Sequence, residues 1–141
     1  PLLARPHHRH PQARLAVFPR HMERLDHWRG ILSRRGLPWV RRSRVNAHHP
    51  VIQKGGAVLW DRFGELGAAY ALACGAYVGG SLVPLGGQNF LEPLAQGIRP
   101  VIGPHWDNFA WVGREVISKG LVREAQSPGD VLEALSAAIE F

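Results

Sequence analysis

The chain has 141 residues, 45% of them hydrophobic, which is the length of one globular domain with its own core and excludes a multidomain protein. Seventeen Lys and Arg against eleven Asp and Glu give a formal charge of +6, and the 16 Gly and 11 Pro are dispersed along the chain, which excludes disorder and collagen-like structure. The single cysteine, Cys74, cannot form an internal disulfide, so the fold is expected to hold by burial in a reducing compartment, the cytoplasm by default.

No charged residue occurs from Leu66 to Leu91, a stretch longer than the ~20 residues that cross a bilayer. Six glycines (Gly67, Gly75, Gly79, Gly80, Gly86, Gly87) and Pro84 interrupt it, however, and a lipid-embedded segment must satisfy every backbone group internally. Helix, strand and loop are expected there instead. The chain opens at Pro1 with neither an initiator Met nor a charged-then-apolar leader, which suggests a piece of a longer polypeptide.

After a basic opening, the run Leu15-Ala16-Val17-Phe18 reads as a buried strand. Leu25, Trp28, Ile31 and Leu32 follow at helical spacing, with Arg34 and Arg35 in the last turn and Gly36 as a left-handed cap. Trp39-Val40 is a weaker extended piece, leading into a loop through Pro50 and Gly55-Gly56. Ala57 to Trp60 is a further strand, and Leu66, Ala69, Tyr70 and Ala73 form a helical stripe, on which Cys74 is expected in the core.

Ala76-Tyr77-Val78 is extended, Gly79 to Gly87 a loop, and Asn89 to Gln96 a short helix closed by Gly97. Val101-Ile102 is a strand. Asp107 then caps an expected single helix carrying Phe109, Val112, Val116 and Ile117, closed by Gly120. A strand at Leu121-Val122 and a last helix opening on Ser127, Pro128 and Asp130 complete the order. Such alternation predicts an α/β fold, a doubly wound, mostly parallel sheet with helices on both faces.

Sheets of this kind bind ligands beyond the carboxyl ends of their strands, so the residues following each strand are the candidates for function. They are Pro19-Arg20-His21, Asp61 to Glu65, Gly79 to Asn89 and Gly103-Pro104-His105, expected on one sheet edge. Gly86-Gly87-Gln88-Asn89 enters a helix, where free N–H groups suit a phosphate; equally, the two glycines fit a turn that needs positive φ. Asn89 and Glu92 have capping-box spacing, so Glu92 reads either as a ligand group or as a cap. Arg20 suits a bidentate phosphate contact or a surface ion pair.

His7, His8 and His10 have no acid or thiol at ligand spacing and read as a solvated basic end, so no metal is assigned. No nucleophile elbow, P-loop or Cys-His pairing is present, which leaves hydrolase and P-loop readings without residues.

Taken together, Pro19-Arg20-His21-Met22-Glu23-Arg24, Asp61-Arg62-Phe63-Gly64-Glu65-Leu66, Gly79-Gly80-Ser81 with Gly86 to Pro93, and Gly103-Pro104-His105-Trp106-Asp107-Asn108-Phe109 resemble the C-terminal domain of 3-deoxy-D-manno-octulosonic acid (Kdo) transferases. The likeness runs from about Arg14 to the final helix. It departs at Met22 and Arg62, where the family usually has proline and threonine.

The resemblance implies the Rossmann-like C-terminal half of a GT-B glycosyltransferase that carries Kdo from CMP-Kdo to a lipid A precursor (lipid IVA), at the cytoplasmic face of a Gram-negative inner membrane. By motif position it implies that residues 1–141 form the CMP-Kdo binding domain. Glu92 would hold the ribose hydroxyls, Gly86, Gly87, Gln88 and Asn89 the phosphate, and Arg20 a phosphate or the sugar carboxylate. His21, Gly80, Ser81 and the loop of Asp61, Gly64 and Glu65 would line the donor.

No cofactor or metal is expected. The catalytic base, the acceptor site and the membrane anchor are implied in an N-terminal half that these residues do not include, so the chain alone is expected to transfer nothing. A GT-B domain for a UDP-sugar is the near alternative. A basic nucleic-acid-binding module, resting on Trp39, Arg41, Arg42 and Arg44, is the alternative from another class.

Overall fold

The computed structural model describes residues 9–48 and 52–140. His7, His8 and part of the loop through Pro50 lie outside them. The chain divides into two compact units, Pro1–Glu65 and Leu66–Phe141, each with its own hydrophobic cluster, where the length led us to expect one core.

The first unit holds β1 (Leu15–Val17), α1 (Leu25–Arg34), β2 (Trp39–Arg41) and β3 (Ala57–Leu59), with 3-10 turns at Met22–Arg24 and Arg42–Arg44. Its sheet is parallel, in the order β1-β3-β2, and Ala57 stands opposite both Leu15 and Trp39. Central β3 is buried along its whole length, which is why it reads as an uninterrupted apolar run, whereas edge strand β1 leaves Ala16 in solvent. Helix α1 packs on β3, and Leu32 joins Val17, Leu37, Ala57 and Leu59 in the core. At the end of α1, Gly36 has φ +66°. Its N–H donates to Ser33 O and that of Leu37 to Leu32 O, a Schellman closure that only a left-handed residue permits.

The second unit comprises α2 (Leu66–Leu72), β4 (Ala76–Tyr77), α3 (Leu91–Ala95), β5 (Pro100–Ile102), α4 (Glu115–Ser118), β6 (Arg123–Glu124) and α5 (Pro128–Glu140). Its strands form a parallel sheet in the order β4-β5-β6, again with a fully buried central strand. Helix α5 packs on β4 and β5. Val78, Phe90, Ile102, Trp106 and Val122 make the core. Fully burying side chains of this kind contributes about 1.5–3 kcal/mol each.

Several expectations need correction. The described strands make two three-stranded sheets and not one continuous sheet. The helix expected from Asp107 to Gly120 is broken: Asp107–Val112 is a 3-10 turn capped by Trp106, and Gly113, at φ +88° and ψ 151°, leaves helical space before α4 begins. The last strand is Arg123–Glu124 and not Leu121-Val122, because the amides of Leu121 and Val122 are bonded to Val116 O and complete the preceding turn. Cys74 is exposed and not in the core, since α2 ends at Leu72.

The opening of α5 follows expectation, with Ser127 Oγ accepting from the Asp130 N–H at 3.2 Å; the Asp130 carboxylate, however, accepts from Gln126 N–H. The uncharged stretch is divided among α2, β4, a glycine loop and the start of α3. Among the described residues no helix is long and apolar enough to cross a membrane.

Candidate functional site

Parallel pairing places the carboxyl ends of a sheet's strands at one edge, so each unit gathers its post-strand residues together. In the first unit these are Phe18 to His21 after β1, Arg42 and Ser43 after β2, and Trp60 to Glu65 after β3. Trp60 stacks on Phe18 with ring centroids 4.5 Å apart. Its indole N–H donates to Glu65 Oε2 at 2.9 Å, and Arg42 Nε stands 3.0 Å from the same oxygen while its guanidinium lies over the Trp60 ring at 5.4 Å.

Asp61 is held in the same way: Oδ1 accepts from Ser43 N–H at 2.8 Å and Oδ2 from Ser43 Oγ at 2.6 Å. Burial raises the carboxyl's pKa, but the Ser43 bonds, the residue's own backbone and the Arg41 charge outweigh it and hold it below 3.8. Both acids nominated from the sequence are therefore engaged inside the unit. Gly64 is exposed at φ +80°. Arg20 and His21 are exposed, with His21 Nδ1 3.9 Å from Glu23; among the described residues neither bonds to Asp61 or Glu65.

In the second unit the glycine loop folds back on itself and on the segment after β5. Gly87 N–H donates to Gly80 O at 2.8 Å and Gln88 N–H to Gly79 O at 3.0 Å. Ser81 is buried. Its hydroxyl donates to Val78 O and accepts from Gly103 N–H, each at 2.8 Å, and its carbonyl accepts from His105 N–H. Asn108 N–H donates to Gly86 O at 3.0 Å and Asn108 Nδ2 to Gly87 O at 3.3 Å.

Gly86 and Gly87 have φ of +85° and +79°, and a Cβ on them would meet Asn108 at 2.5 Å and Trp106 Cα at 3.1 Å. Close packing of loop on loop thus accounts for the two glycines. The Gly87 and Gln88 amides, expected to face a phosphate, are bonded within the loop. Those of Asn89 and Phe90 have no such partner among the described residues.

At the end of this loop, Asn89 Oδ1 accepts from Leu91 N–H at 3.0 Å, and Asn89 Nδ2 donates to Glu92 Oε1 at 3.1 Å. The expected reciprocal box is therefore side chain to side chain, and the exposed Glu92 keeps its second oxygen for a partner. Glu92 also acts on Tyr70 of α2, which packs against α3: burial first, and the Glu92 charge second, raise the phenol above 10.0.

Sequence reasoning missed Ser43, Arg114 and Glu124, and it marked Arg42 only for a nucleic-acid module and Trp60 only as the end of a strand. Only the long-range fold brings them to the strand ends, and no local motif marks them. Among the described residues no cluster of three His, Cys, Asp or Glu could hold a metal ion.

No family model matches the sequence. The 3-deoxy-D-manno-octulosonic acid transferase of Bordetella pertussis is 36% identical over 124 residues, 87% of this chain and 28% of that protein. The protein of the same name from Haemophilus influenzae is 35% identical over 125 residues, 89% of this chain and 29% of that protein. Among solved structures, the C-terminal CMP-Kdo binding domain of WaaA from Acinetobacter baumannii is similar with a TM-score of 0.78 at 36% identity, covering 89% of this chain and 64% of that one. The chain spans less than a third of the length of these curated relatives. The α/β class with parallel sheets is the one expected, and these relatives lend no support to a UDP-sugar enzyme or a nucleic-acid module.

Proposed function

We propose that this chain, a homologue of the Kdo transferases, is the donor-binding part of a glycosyltransferase that takes Kdo from CMP-Kdo. The observation that carries the reading is the likeness to the CMP-Kdo binding domain of WaaA, at 36% identity over 89% of the chain. Within the second unit, Glu92 is the ribose-binding residue: an exposed carboxylate, oriented by Asn89, with one oxygen left to accept from a sugar hydroxyl. The amide of the exposed Asn89 faces the phosphate, while Gly80, Ser81, Gly86, Gly87 and Gln88 hold the loop in shape. In the first unit Arg20 and His21 stay exposed, whereas Asp61 and Glu65 are held by Ser43, Trp60 and Arg42 and serve the shape of their own loop.

In the reaction, the bond from the anomeric carbon to the phosphate oxygen breaks, and CMP departs with the electron pair. An acceptor hydroxyl oxygen bonds to the anomeric carbon, and its proton passes to a base. Negative charge grows on the leaving phosphate, so donors fixed in place before the reaction lower the barrier. A lipid A precursor is the proposed acceptor and the cytoplasmic face of the inner membrane the proposed location, with the base supplied by an N-terminal half. The net charge of +6 suits both an anionic donor and an anionic surface.

Titrating this chain with CMP, UMP and UDP while following its amide resonances tests the reading. Saturable shifts at Gly86 to Glu92 with CMP, weaker with UMP and UDP, and about tenfold weaker CMP binding in Glu92→Gln, are expected. Equal response to all three nucleotides, or none to CMP, overturns it. Robust Kdo transfer by these 141 residues alone would contradict the assignment of the base to another part of the enzyme.

A further inference from the structure

We infer that Glu124, at the end of β6 and outside every motif, is a positioning residue for the nucleotide loop, an inference that rests on the CMP-Kdo reading above. Its side chain is 14% exposed, and Oε2 accepts from the Trp106 indole N–H at 2.9 Å. Arg114 closes the group, 3.4 Å from the same oxygen with its guanidinium 5.7 Å from the centre of the Trp106 ring. Gln126 Nε2 donates to the other oxygen at 3.1 Å. Trp106 is thereby fixed from outside the core, and the loop rests on it: Gly87 is close enough that a Cβ there would meet Trp106 Cα at 3.1 Å and Cβ at 3.3 Å.

The other side of Trp106 meets Phe90 edge-on, with centroids 5.8 Å apart, and Phe90 directly precedes the helix that carries Glu92. The buried indole therefore touches Phe90 and with it the approach to Glu92, whereas the turn at Gly87 lies against Trp106 Cα and Cβ; a single carboxylate sets the rotation of the ring. Removing that carboxylate leaves a largely buried N–H without an acceptor, which the ring relieves by turning, and the turn carries Phe90 with it. Touching no ligand, Glu124 acts through Trp106.

The test compares Glu124→Leu, Glu124→Gln, Trp106→Phe and the double variant Glu124→Leu/Trp106→Phe in this chain. Without ligand, Glu124→Leu is expected to move the Trp106 indole resonance and the amides at the end of the loop, Phe90, Leu91 and Glu92. With CMP, it weakens binding about tenfold. Glu124→Gln, whose amide oxygen still accepts from the indole, restores binding to within about threefold of the parent. The double variant is no worse than the weaker single one, because both remove one interaction.

Unmoved loop amides in Glu124→Leu, no rescue by glutamine, or additive losses overturn the inference. Should Glu124→Leu fail to fold, Trp106→Phe, which removes the N–H donor with the five-membered ring and keeps an aromatic ring toward Phe90, is compared with Glu124→Gln, and the same loop amides decide. If the parent chain does not bind CMP, the nucleotide reading falls, while the ligand-free loop shifts still settle whether Glu124 positions the loop.

Discussion

The two units use one device at their strand ends. In the first, Trp60 donates to Glu65 at 2.9 Å, with Arg42 paired to the acid and lying over the indole; in the second, Trp106, Glu124 and Arg114 repeat the arrangement, again with a 2.9 Å bond. The difference lies in which acid is used. The first unit takes Glu65 from the Asp61–Glu65 motif, and Ser43 occupies Asp61, so both acids are satisfied internally. The second takes Glu124 from outside the motifs and leaves Glu92 exposed, with only the Asn89 amide on it among the described residues. An acid at a strand end is thus a ligand candidate by its remaining hydrogen-bond capacity and not by position alone.

The largest effect that sharpens this comparison is steric. A Cβ on Gly103 would overlap the Ser81 carbonyl, between two loops that cannot separate without losing the buried Ser81 bonds. Gly103→Ala is therefore expected to destabilise by about 3 kcal/mol or more. The matching change in the first unit, Gly64→Ala, meets nothing within 4 Å and loses only the ease of φ +80°, about 1 kcal/mol. Urea unfolding of the two variants compares them, and equal losses would mean that the second unit's loops are no more tightly joined than the first unit's.

Next in size is Glu65→Leu, which strips the acceptor from Trp60 and the partner from Arg42 and is expected to cost about 2 kcal/mol. If Glu65 is scaffold, its loss appears in the unfolding midpoint. Unchanged stability with weakened donor binding would return Glu65 to the ligand and break the contrast with Glu92.

The sequence made the elements legible wherever burial is simple. The apolar runs around Ala57–Leu59 and Val101-Ile102 became strands because a central parallel strand has no polar side to show, the run from Leu15 became an edge strand that still buries Val17, and α1 ended at Gly36 because a left-handed cap needs glycine. The break at Gly113 was hidden, since Phe109, Val112, Val116 and Ile117 keep helical spacing across it and all pack on the same cluster. The nucleotide motif was legible as a glycine pair before a short helix, but its physical reason was not. That Gly87 clears Trp106, and that Gly86 clears Asn108, depends on residues some twenty positions away. The Trp–Glu–Arg groups were invisible for the same reason.

A smaller effect distinguishes the acids by pH. Asp61 has its folded-state pKa below 3.8, so its contribution is fully present above that value and is lost as pH falls through the lowered folded one. Asp61→Asn is expected to flatten the acid limb of the stability curve by a few tenths of a kcal/mol, roughly the scale of partly exposed polar pairs. Unfolding midpoints measured well above and well below 3.8 for the parent, Asp61→Asn and Ser43→Ala check this; a limb as steep in Asp61→Asn as in the parent would mean that the Ser43 bonds do not hold the charged form.

The smallest effect reports on Glu92 itself. Tyr70 is held above 10.0 first by burial and second by the Glu92 charge, so Glu92→Gln is expected to bring the phenol partway down while burial keeps it above the ordinary value. Phenolate absorbance follows the titration, with Tyr70→Phe separating it from Tyr77. Asp61 offers no comparable reporter, because its carboxylate is hydrogen-bonded by Ser43, which does not titrate. A Tyr70 titration indifferent to Glu92→Gln would mean that this carboxylate is neutralised nearer home, and the contrast between an open acid in the second unit and closed ones in the first would fail.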